Sequence, residues 1–483
     1  MSAQQPETTE RAPSDPARWR ALLFIALAQL MVVLDSTIVN IALPSMQESL
    51  HISDADRQWV VTAYALAFGG LLLLGGRIGD HWGRKKAFLT GLLGFAAASA
   101  LGGAAQNTTV MLGARALQGA FGALLAPAAL SLLAVTFTDH KERAKAFGVF
   151  GAVSGGGAAV GLVLGGLLTE YLDWRWTFFI NVPTAALAAL GAWKTVHTRR
   201  RAHTAASLDT TGAVVATLGL VALVHGFSSA ETNGWTARIT VASLALAVVL
   251  LIAFAVVETR HRNPLLPPRV VWDRTRGGVY LALGLATIGM FGLFLFMTYY
   301  LQTVRGYSPV LSGLAFLPLV AGMMIGSTQI GARLMLRVPA RVLMSLSLLA
   351  TAAGIASLTA IGRDSSYAAL ILPGMTVVGL GLGTATMLAM ALAPHGVEDE
   401  DAGVASAMIN TSQQVGGAIG TALLSSIAAG AAHAYSTAHH GGAQNDLVLV
   451  HGYTTAFTWA AALVALAGVL SFAVLRPGRL HTG

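Results

Sequence analysis

The chain has 483 residues, of which 55% are hydrophobic and 11% charged, with a mean hydropathy of +0.66 and a net charge of +8. Soluble globular domains carry about 25% charged residues, so this composition excludes that class and indicates a helical membrane protein. The chain contains no cysteine, which excludes disulfides and thiolate metal sites.

Fourteen apolar runs, each long enough to cross a bilayer as a helix, predict an all-α polytopic membrane fold. An even number of spans places both termini on one side. With the N-terminus inside, the cytoplasmic segments hold 24 of the 30 Lys and Arg residues, and the external segments hold five. This asymmetry is a topology signal rather than a sign of nucleic-acid binding. The runs are 20–43, 58–76, 87–105, 110–135, 145–169, 176–194, 209–228, 238–258, 277–301, 310–331, 341–361, 367–393, 402–430 and 451–475.

The seventh and eighth runs lie between two basic segments, and removing them leaves six helices before and six after. Two six-helix halves are a transporter architecture, and the extra pair is expected to be an insertion without transport chemistry. The polar N-terminus lacks the cleavage site of a removed signal peptide. The predicted parts are 1–19 (disordered cytoplasmic tail), 20–195 (first half), 196–258 (basic linker and two inserted helices), 259–276 (cytoplasmic linker), 277–475 (second half) and 476–483 (cytoplasmic tail).

The first run contains an acidic residue at Asp35, about 15 residues from its start, or roughly 22 Å along a helix. Of the 22 acidic residues, only Asp35 lies well inside an apolar run. Asp209 and Glu258 fall at the ends of runs, and the others lie in loops or tails. A carboxylate inside a membrane is costly and usually functional, so Asp35 is the predicted proton carrier.

A structural role for Asp35 is the alternative, with hydrogen bonds to Ser36, Thr37 or Asn40. A neutral Asn would satisfy such hydroxyls at lower cost, which favours the functional interpretation.

The loop after the second run, Gly75 to Lys86, carries a specific spacing of glycine, acid and base. It resembles the short cytoplasmic loop signature of the major facilitator superfamily. Glycines permit a tight turn, and Asp80 can cap a helix N-terminus. Arg84 is expected to pair with Asp139 and latch the cytoplasmic side, although a simple positive-inside loop is the alternative. The matching residues are Gly76, Asp80, Gly83, Arg84 and Lys85.

The fourth run contains Arg115, the only basic residue within a span. A charge in a span needs a partner, and we expect Arg115 to tune Asp35, directly or through water. The resemblance supports this, because the superfamily's second motif places an arginine here with a role in proton transfer. The alternative is that Arg115 only ties helices together through backbone carbonyls.

The fifth run is rich in glycine, with a spacing that permits close helix contact. Part of it resembles the superfamily's antiporter motif, in which a Gly-Pro pair kinks the helix. Here Leu162 follows Gly161, and the missing proline weakens the antiporter inference from this motif. General packing is the alternative role. The motif glycines are Gly157, Gly161, Gly165 and Gly166.

Three further stretches resemble the 14-helix drug:proton antiporter family: 35–44, 173–183 and 299–318. The resemblance implies proton-coupled efflux of antibiotics or other amphipathic molecules by alternating access across a bacterial cell membrane. It also implies that the protein is a secondary transporter and not an enzyme, and that it works as a monomer. No cofactor is expected, because the proton gradient supplies the energy. Its partners would be the small amphipathic substrate, protons and the lipid bilayer. A proton-coupled uptake symporter for a small metabolite is the alternative function.

The substrate cavity is assigned by analogy with the superfamily, in which the first, fourth, ninth and twelfth helices line the central path. Each candidate has interhelical packing as an alternative role. No metal site is expected, since the histidines at His433, His439 and His440 lack a supporting carboxylate. The cavity candidates are Asn40, Gln118, Tyr299, Tyr300, Gln329, Met387 and Asn410.

Overall fold

The computed structural model describes residues 17–53, 56–137, 139–196, 209–261, 264–335, 337–393, 397, 402–439 and 445–476. Most of both predicted tails, the basic stretch 197–208 and His440 lie outside the described residues.

Fourteen helices in the described part of the chain are long and apolar enough to cross a membrane, which confirms the predicted all-α fold of a multi-pass membrane protein. Helices suit this environment because all their backbone groups are paired internally. They are α1 (Ala17–Leu50), α2 (Trp59–Trp82), α3 (Arg84–Gly103), α4 (Thr108–Thr136), α5 (His140–Tyr171), α6 (Trp176–Thr195), α7 (Thr210–Asn233), α8 (Arg238–Arg260), α9 (Arg274–Val304), α10 (Pro309–Leu334), α11 (Ala340–Ala360), α12 (Tyr367–Leu392), α13 (Ala402–Ala438) and α14 (Asn445–Val474).

Polar side chains fix several helix starts by accepting the unpaired backbone N–H groups of the first turn. Asn107 caps α4 through the Val110 N–H at 2.9 Å, and Asp273 caps α9 through two N–H groups. Burial alone would raise the pKa of Asp273, but the backbone N–H of Arg276 and the nearby guanidinium charges hold that pKa below its usual value.

The two six-helix halves repeat the same pattern of helix pairing. In the first half, α1 packs on α5 and α6, α3 packs on α4 and α6, and α2 packs on α4. In the second half, α9 packs on α13 and α14, α11 on α12 and α14, and α10 on α12. This repeat is the major facilitator architecture of two halves, while the exact limits of the predicted parts stay a prediction.

The insert, α7 and α8, lies beside the place where the halves meet. Helix α7 packs on α2 of the first half and α13 of the second, and α8 packs mainly on α7. Near one end, Ser228 accepts hydrogen bonds from Gln58 and from the Trp59 indole, at 3.1 and 3.0 Å. The exposed apolar side chains of α8, such as Val249 and Ile252, suit contact with lipid.

Helix α2 of the first half packs on α13 of the second, and at one end of the bundle α1 also meets α9 and α5 meets α10. Tyr299 donates its hydroxyl proton to the Gln47 side chain, and Gln302 donates to the Ile41 carbonyl at 2.9 Å. The backbone N–H of Val310 donates to Glu170 at 2.9 Å. We call this region, residues 41–47, 162–170 and 299–313, the sealed end.

Glycines bring the two backbones of the sealed end together. A Cβ added to Gly313 would lie 2.3 Å from the Leu162 carbonyl oxygen, and one added to Gly166 would lie 2.7 Å from the Pro309 carbonyl oxygen. Such distances are shorter than van der Waals contact, so only glycine permits this approach between α5 and α10.

Towards the opposite end, α5 and α10 separate. Added Cβ atoms on Gly148, Gly151 and Gly155 would meet nothing within 4 Å. The side chains of Thr328 and Gln329 on α10 are likewise exposed. The halves therefore close one end of the bundle and diverge at the other.

Gly313→Ala is expected to open the sealed end, because the new methyl group would press against the Leu162 carbonyl. The chain has no cysteine, so Ile41→Cys gives a single thiol at a fully buried position of the sealed end. In purified protein, a water-soluble maleimide should label this thiol several-fold faster in the Gly313→Ala background. Gly148→Ala is the control, because its methyl group enters open space, and it should leave the labelling rate of the Ile41→Cys thiol unchanged. Equal labelling rates with and without Gly313→Ala would contradict the sealed-end assignment.

Candidate functional site

A cluster of buried polar side chains lies inside the first half, with Asp35 and Arg115 at its centre. The Arg115 Nη1 donates to Asp35 Oδ2 at 2.7 Å, and the two side chains are 2% and 0% exposed. The structure thus brings the two predicted proton-coupling residues into direct contact. Both ions are tolerated in a low-dielectric interior because each neutralises the other.

The second oxygen of Asp35 accepts two amide hydrogen bonds. Gln118 on α4 and Asn181 on α6 donate to Asp35 Oδ1 at 2.8 and 2.9 Å. The same two amides donate to the Ser99 hydroxyl on α3, at 2.7 and 3.2 Å. Four helices therefore meet in this cluster, and the partners of the Asp35 carboxylate, from α4 and α6, are all donors.

Arg115 also ties helices together, which was its alternative role, while its tuning of Asp35 stays a prediction. Its Nε donates to the Val60 carbonyl on α2 at 2.9 Å, and its guanidinium carbon lies 4.5 Å from the centre of the Tyr64 ring. The approach of α2 depends on Gly119, where an added Cβ would lie 2.3 Å from the Tyr64 carbonyl oxygen. A cation over an aromatic face is stabilised further when water is excluded.

The local alternative for Asp35 is not what the structure shows. Ser36 and Thr37 donate to the Val33 carbonyl at 2.8 and 3.0 Å, and Asn40 donates to the Ser36 carbonyl at 2.8 Å. These three side chains bond to the backbone of their own helix. The hydrogen bonds of Asp35 described above come from α4 and α6 instead.

The glycine motif of α5 packs against the turn of α1 that carries Asp35. A Cβ on Gly161 would lie 2.0 Å from the Thr37 hydroxyl oxygen, and one on Gly165 would lie 3.0 Å from the Ile38 Cα. Gly157 packs on the preceding turn of α1, and Gly166 reaches α10 in the other half. The motif therefore connects the Asp35 turn to the sealed end, without the proline that the antiporter motif usually carries.

The predicted latch lies at the end of the bundle opposite the sealed end. Gly83 joins α2 to α3 at a φ of +94°, a conformation that favours glycine, and Arg84 begins α3. Asp139 accepts a backbone N–H at the start of α5 at 3.0 Å, and Gly76 lies at ordinary contact distance from α4. The side chain of Asp80 lies outside the described residues, and the latch function stays a prediction.

Three of the cavity candidates are buried in this conformation. Gln118 belongs to the Asp35 cluster. Tyr299 is 4% exposed and bonded to Gln47 at the sealed end, and Tyr300 is fully buried and donates to the Gly362 carbonyl at 2.7 Å.

The other four cavity candidates have accessible side chains. Asn40, Met387 and Asn410 are partly exposed, and Gln329 is exposed. Burial separates the two groups, but their role in substrate binding stays a prediction.

Sequence reasoning missed three members of the cluster: Asn181, Ser99 and Tyr64. Asn181 lies within the stretch 173–183 that resembles the drug:proton antiporters, and its amide in an apolar run was the available signal. Ser99 and Tyr64 give no comparable signal, because small hydroxyls and aromatic residues are common in membrane helices.

Arg115→Met should destabilise the protein by about 3–5 kcal/mol, because it leaves the Asp35 carboxylate buried without its cation. Asp35→Asn combined with Arg115→Met removes both charges and should recover a large part of that loss. Unfolding of the purified protein measures both. Arg18→Met, which breaks a partly exposed pair with Glu142, should cost only about 0–1 kcal/mol. A double variant no more stable than Arg115→Met would contradict the charge pairing.

Comparison with known proteins identifies the family. Residues 25–421 match the Major Facilitator Superfamily. The chain is 52% identical to a puromycin resistance protein of Streptomyces alboniger. The alignment spans 479 residues and covers 98% of this chain and 95% of that protein. It is 36% identical to a cephamycin export protein of Amycolatopsis lactamdurans, over 86% of each chain.

A solved structure shares the fold at low sequence identity. A bacterial homologue of the human lysosomal transporter Spinster, inward-facing and unoccupied, superposes with a TM-score of 0.67 at 14% identity, covering 95% of this chain and 97% of that one. The sequence match, the relatives and the fold agree, and the chain belongs to the Major Facilitator Superfamily of membrane transporters, as its motifs predicted.

Proposed function

We propose that the protein exports an antibiotic, or another amphipathic small molecule, in exchange for protons. The buried Asp35–Arg115 pair carries this proposal, since a membrane-embedded ion pair of this kind marks a proton or substrate pathway. The relatives support the direction of transport, because they include antibiotic resistance and export proteins. The relative that is 52% identical is a puromycin resistance protein, so puromycin is the first substrate to test.

The orientation follows from the charge distribution. With both termini in the cytoplasm of a bacterial cell, the sealed end faces outwards and the divergent end faces the cytoplasm. The structure then corresponds to an inward-open state, which admits substrate from inside the cell. The partly exposed candidates on α1, α10, α12 and α13 are the surfaces proposed to contact it.

The proton acts by breaking the ion pair. In the inward-open state Asp35 is buried and accepts hydrogen bonds from Arg115, Gln118 and Asn181, so an external proton reaches it only after the sealed end opens. A protonated Asp35 no longer neutralises Arg115, and an unpaired buried cation is strongly unfavourable. The contact between α1 and α4 therefore changes when the proton binds, and substrate is released outside.

Return to the inward-open state completes the cycle. The protonated, empty carrier closes its outer end, Asp35 loses its proton towards the cytoplasm, and the ion pair forms again. The inward proton gradient supplies the energy, without a cofactor, and one chain contains the whole cycle.

Efflux of puromycin and a panel of antibiotics and cationic dyes from a sensitised bacterial host tests the proposal. Wild type should lower cellular accumulation, and Asp35→Asn, at equal membrane expression, should leave it at the level of the empty host. An uncoupler should abolish wild-type efflux, because the proton gradient is the energy source.

Asp446→Asn is the control, since this acid is partly exposed and pairs with Arg363; its efflux should match wild type. Efflux that persists after full uncoupling contradicts proton coupling. If Asp35→Asn exports the drug as fast as wild type, the proton is carried by another residue. If cells with the wild-type protein accumulate more drug than the empty host, the protein takes the drug up instead.

A further inference from the structure

The insert carries a pair of buried acids, far along the chain from the Asp35 cluster. Asp209 immediately precedes α7, and Glu258 lies two residues before the end of α8. The two residues are only 2% and 4% exposed. Isolated carboxylates are rarely buried to this degree without a partner, so the pair requires an explanation.

Each acid uses one oxygen to accept a backbone N–H. Asp209 Oδ1 accepts from Gly212 at 2.7 Å and caps α7, and Glu258 Oε2 accepts from Leu266 in the linker at 2.9 Å. The other two oxygens, Asp209 Oδ2 and Glu258 Oε1, are buried and have no hydrogen-bond partner within the described part of the chain. A buried acceptor without a donor is unfavourable.

The two unsatisfied oxygens point into the same space. They lie 2.6 Å and 2.8 Å from the position that a Cβ would take on Gly212. Glycine at this position leaves that space free for the carboxyl groups. Two ionised carboxylates that border one such small space repel each other, and burial makes the repulsion worse.

Two basic groups flank the acids without filling this space. His261 Nδ1 lies 3.9 Å from Asp209 Oδ2, beyond hydrogen-bond distance, and its side chain is 28% exposed. Arg77, in the last two turns of α2, donates from its Nη2 to the Pro264 carbonyl at 2.9 Å. His261 also connects the buried acids to the surface, where protons are available.

We propose that Asp209 and Glu258 form a proton-binding site, in which one proton is held between Asp209 Oδ2 and Glu258 Oε1. A single proton supplies the donor that both oxygens lack and removes one of the two negative charges. A proton fits the site better than a metal ion, because within the described ranges no three His, Asp or Glu side chains are arranged as metal ligands.

The site joins three parts of the molecule. The shared proton connects the start of α7 to the end of α8, Leu266 brings in the linker, and Arg77 connects that linker to α2 of the first half. Loss of the proton leaves two facing negative charges, which favours separation of the helix ends. The insert is thereby sensitive to protons at the linker, 259–276, that connects it to the second half.

Infrared difference spectroscopy of the purified full-length protein at neutral pH tests the proposal, whatever the transported substrate. A protonated carboxyl gives a C=O stretching band that an ionised carboxylate lacks. The wild-type minus Glu258→Gln spectrum should contain this band, and so should the wild-type minus Asp209→Asn spectrum. Asp273→Asn is the control, because Asp273 is held ionised by Arg276 and Arg476, and its difference spectrum should contain only carboxylate bands.

Either of two results overturns the proposal. Difference spectra for Glu258→Gln and Asp209→Asn that contain only carboxylate bands would show that both acids are ionised and that they share no proton. If neither variant folds, wild type alone decides, because absence of any protonated-carboxyl band at neutral pH excludes the shared proton. A band that remains in Asp35→Asn, disappears on raising the pH and shifts in heavy water supports the proposal, because the other buried acid has then been removed.

Discussion

The ion pair between Asp35 and Arg115 is the interaction on which the first half depends. Removing two charges from water costs several kcal/mol for each ion, and only close pairing with additional hydrogen bonds offsets that cost. The cluster supplies both, through the guanidinium contact at 2.7 Å and the amides of Gln118 and Asn181. In the proposed cycle, a proton on Asp35 breaks this balance, so the same contact that stabilises the helices would also make their arrangement responsive to protons.

Helix α1 connects the ion pair to the contact between the halves. Asp35 lies about 9 Å along the helix from Ile41, whose carbonyl accepts the Gln302 side chain of the second half. The glycines of α5 hold the same stretch of α1, and Gly166 then reaches α10. A shift of α1 is therefore transmitted to the sealed end by direct packing, as alternating access requires.

Charged residues inside a membrane span are easy to identify from sequence. Neutral polar residues, and acids at the ends of helices, are not. Asp35 and Arg115 stand out because ions inside apolar runs are rare. Asn181 and Ser99 do not, because their convergence depends on how α3 and α6 are rotated against α1. The facing oxygens of Asp209 and Glu258 likewise depend on how α7 pairs with α8, which hydropathy does not encode.

Tyr299 and Tyr300 illustrate a second feature that the sequence does not predict, the conformational state. A helix position that faces the path in one conformation can be packed in another, and the sequence does not specify which state is populated. Tyr299 and Tyr300 are buried here at the sealed end, whereas Gln329 at the divergent end is exposed. The number and order of helices follow from hydrophobic patterning, but the conformational state follows from contacts between the halves.

Proton movement driven by substrate, in liposomes containing only the purified protein, tests the central claim most directly. A puromycin gradient is imposed without a pH gradient, and a pH-sensitive dye reports protons moving across the membrane. Wild type should move protons against the direction of puromycin flow, and Asp35→Asn should move none. Equal proton movement by the two proteins would contradict the assignment of Asp35 as the residue that carries the proton.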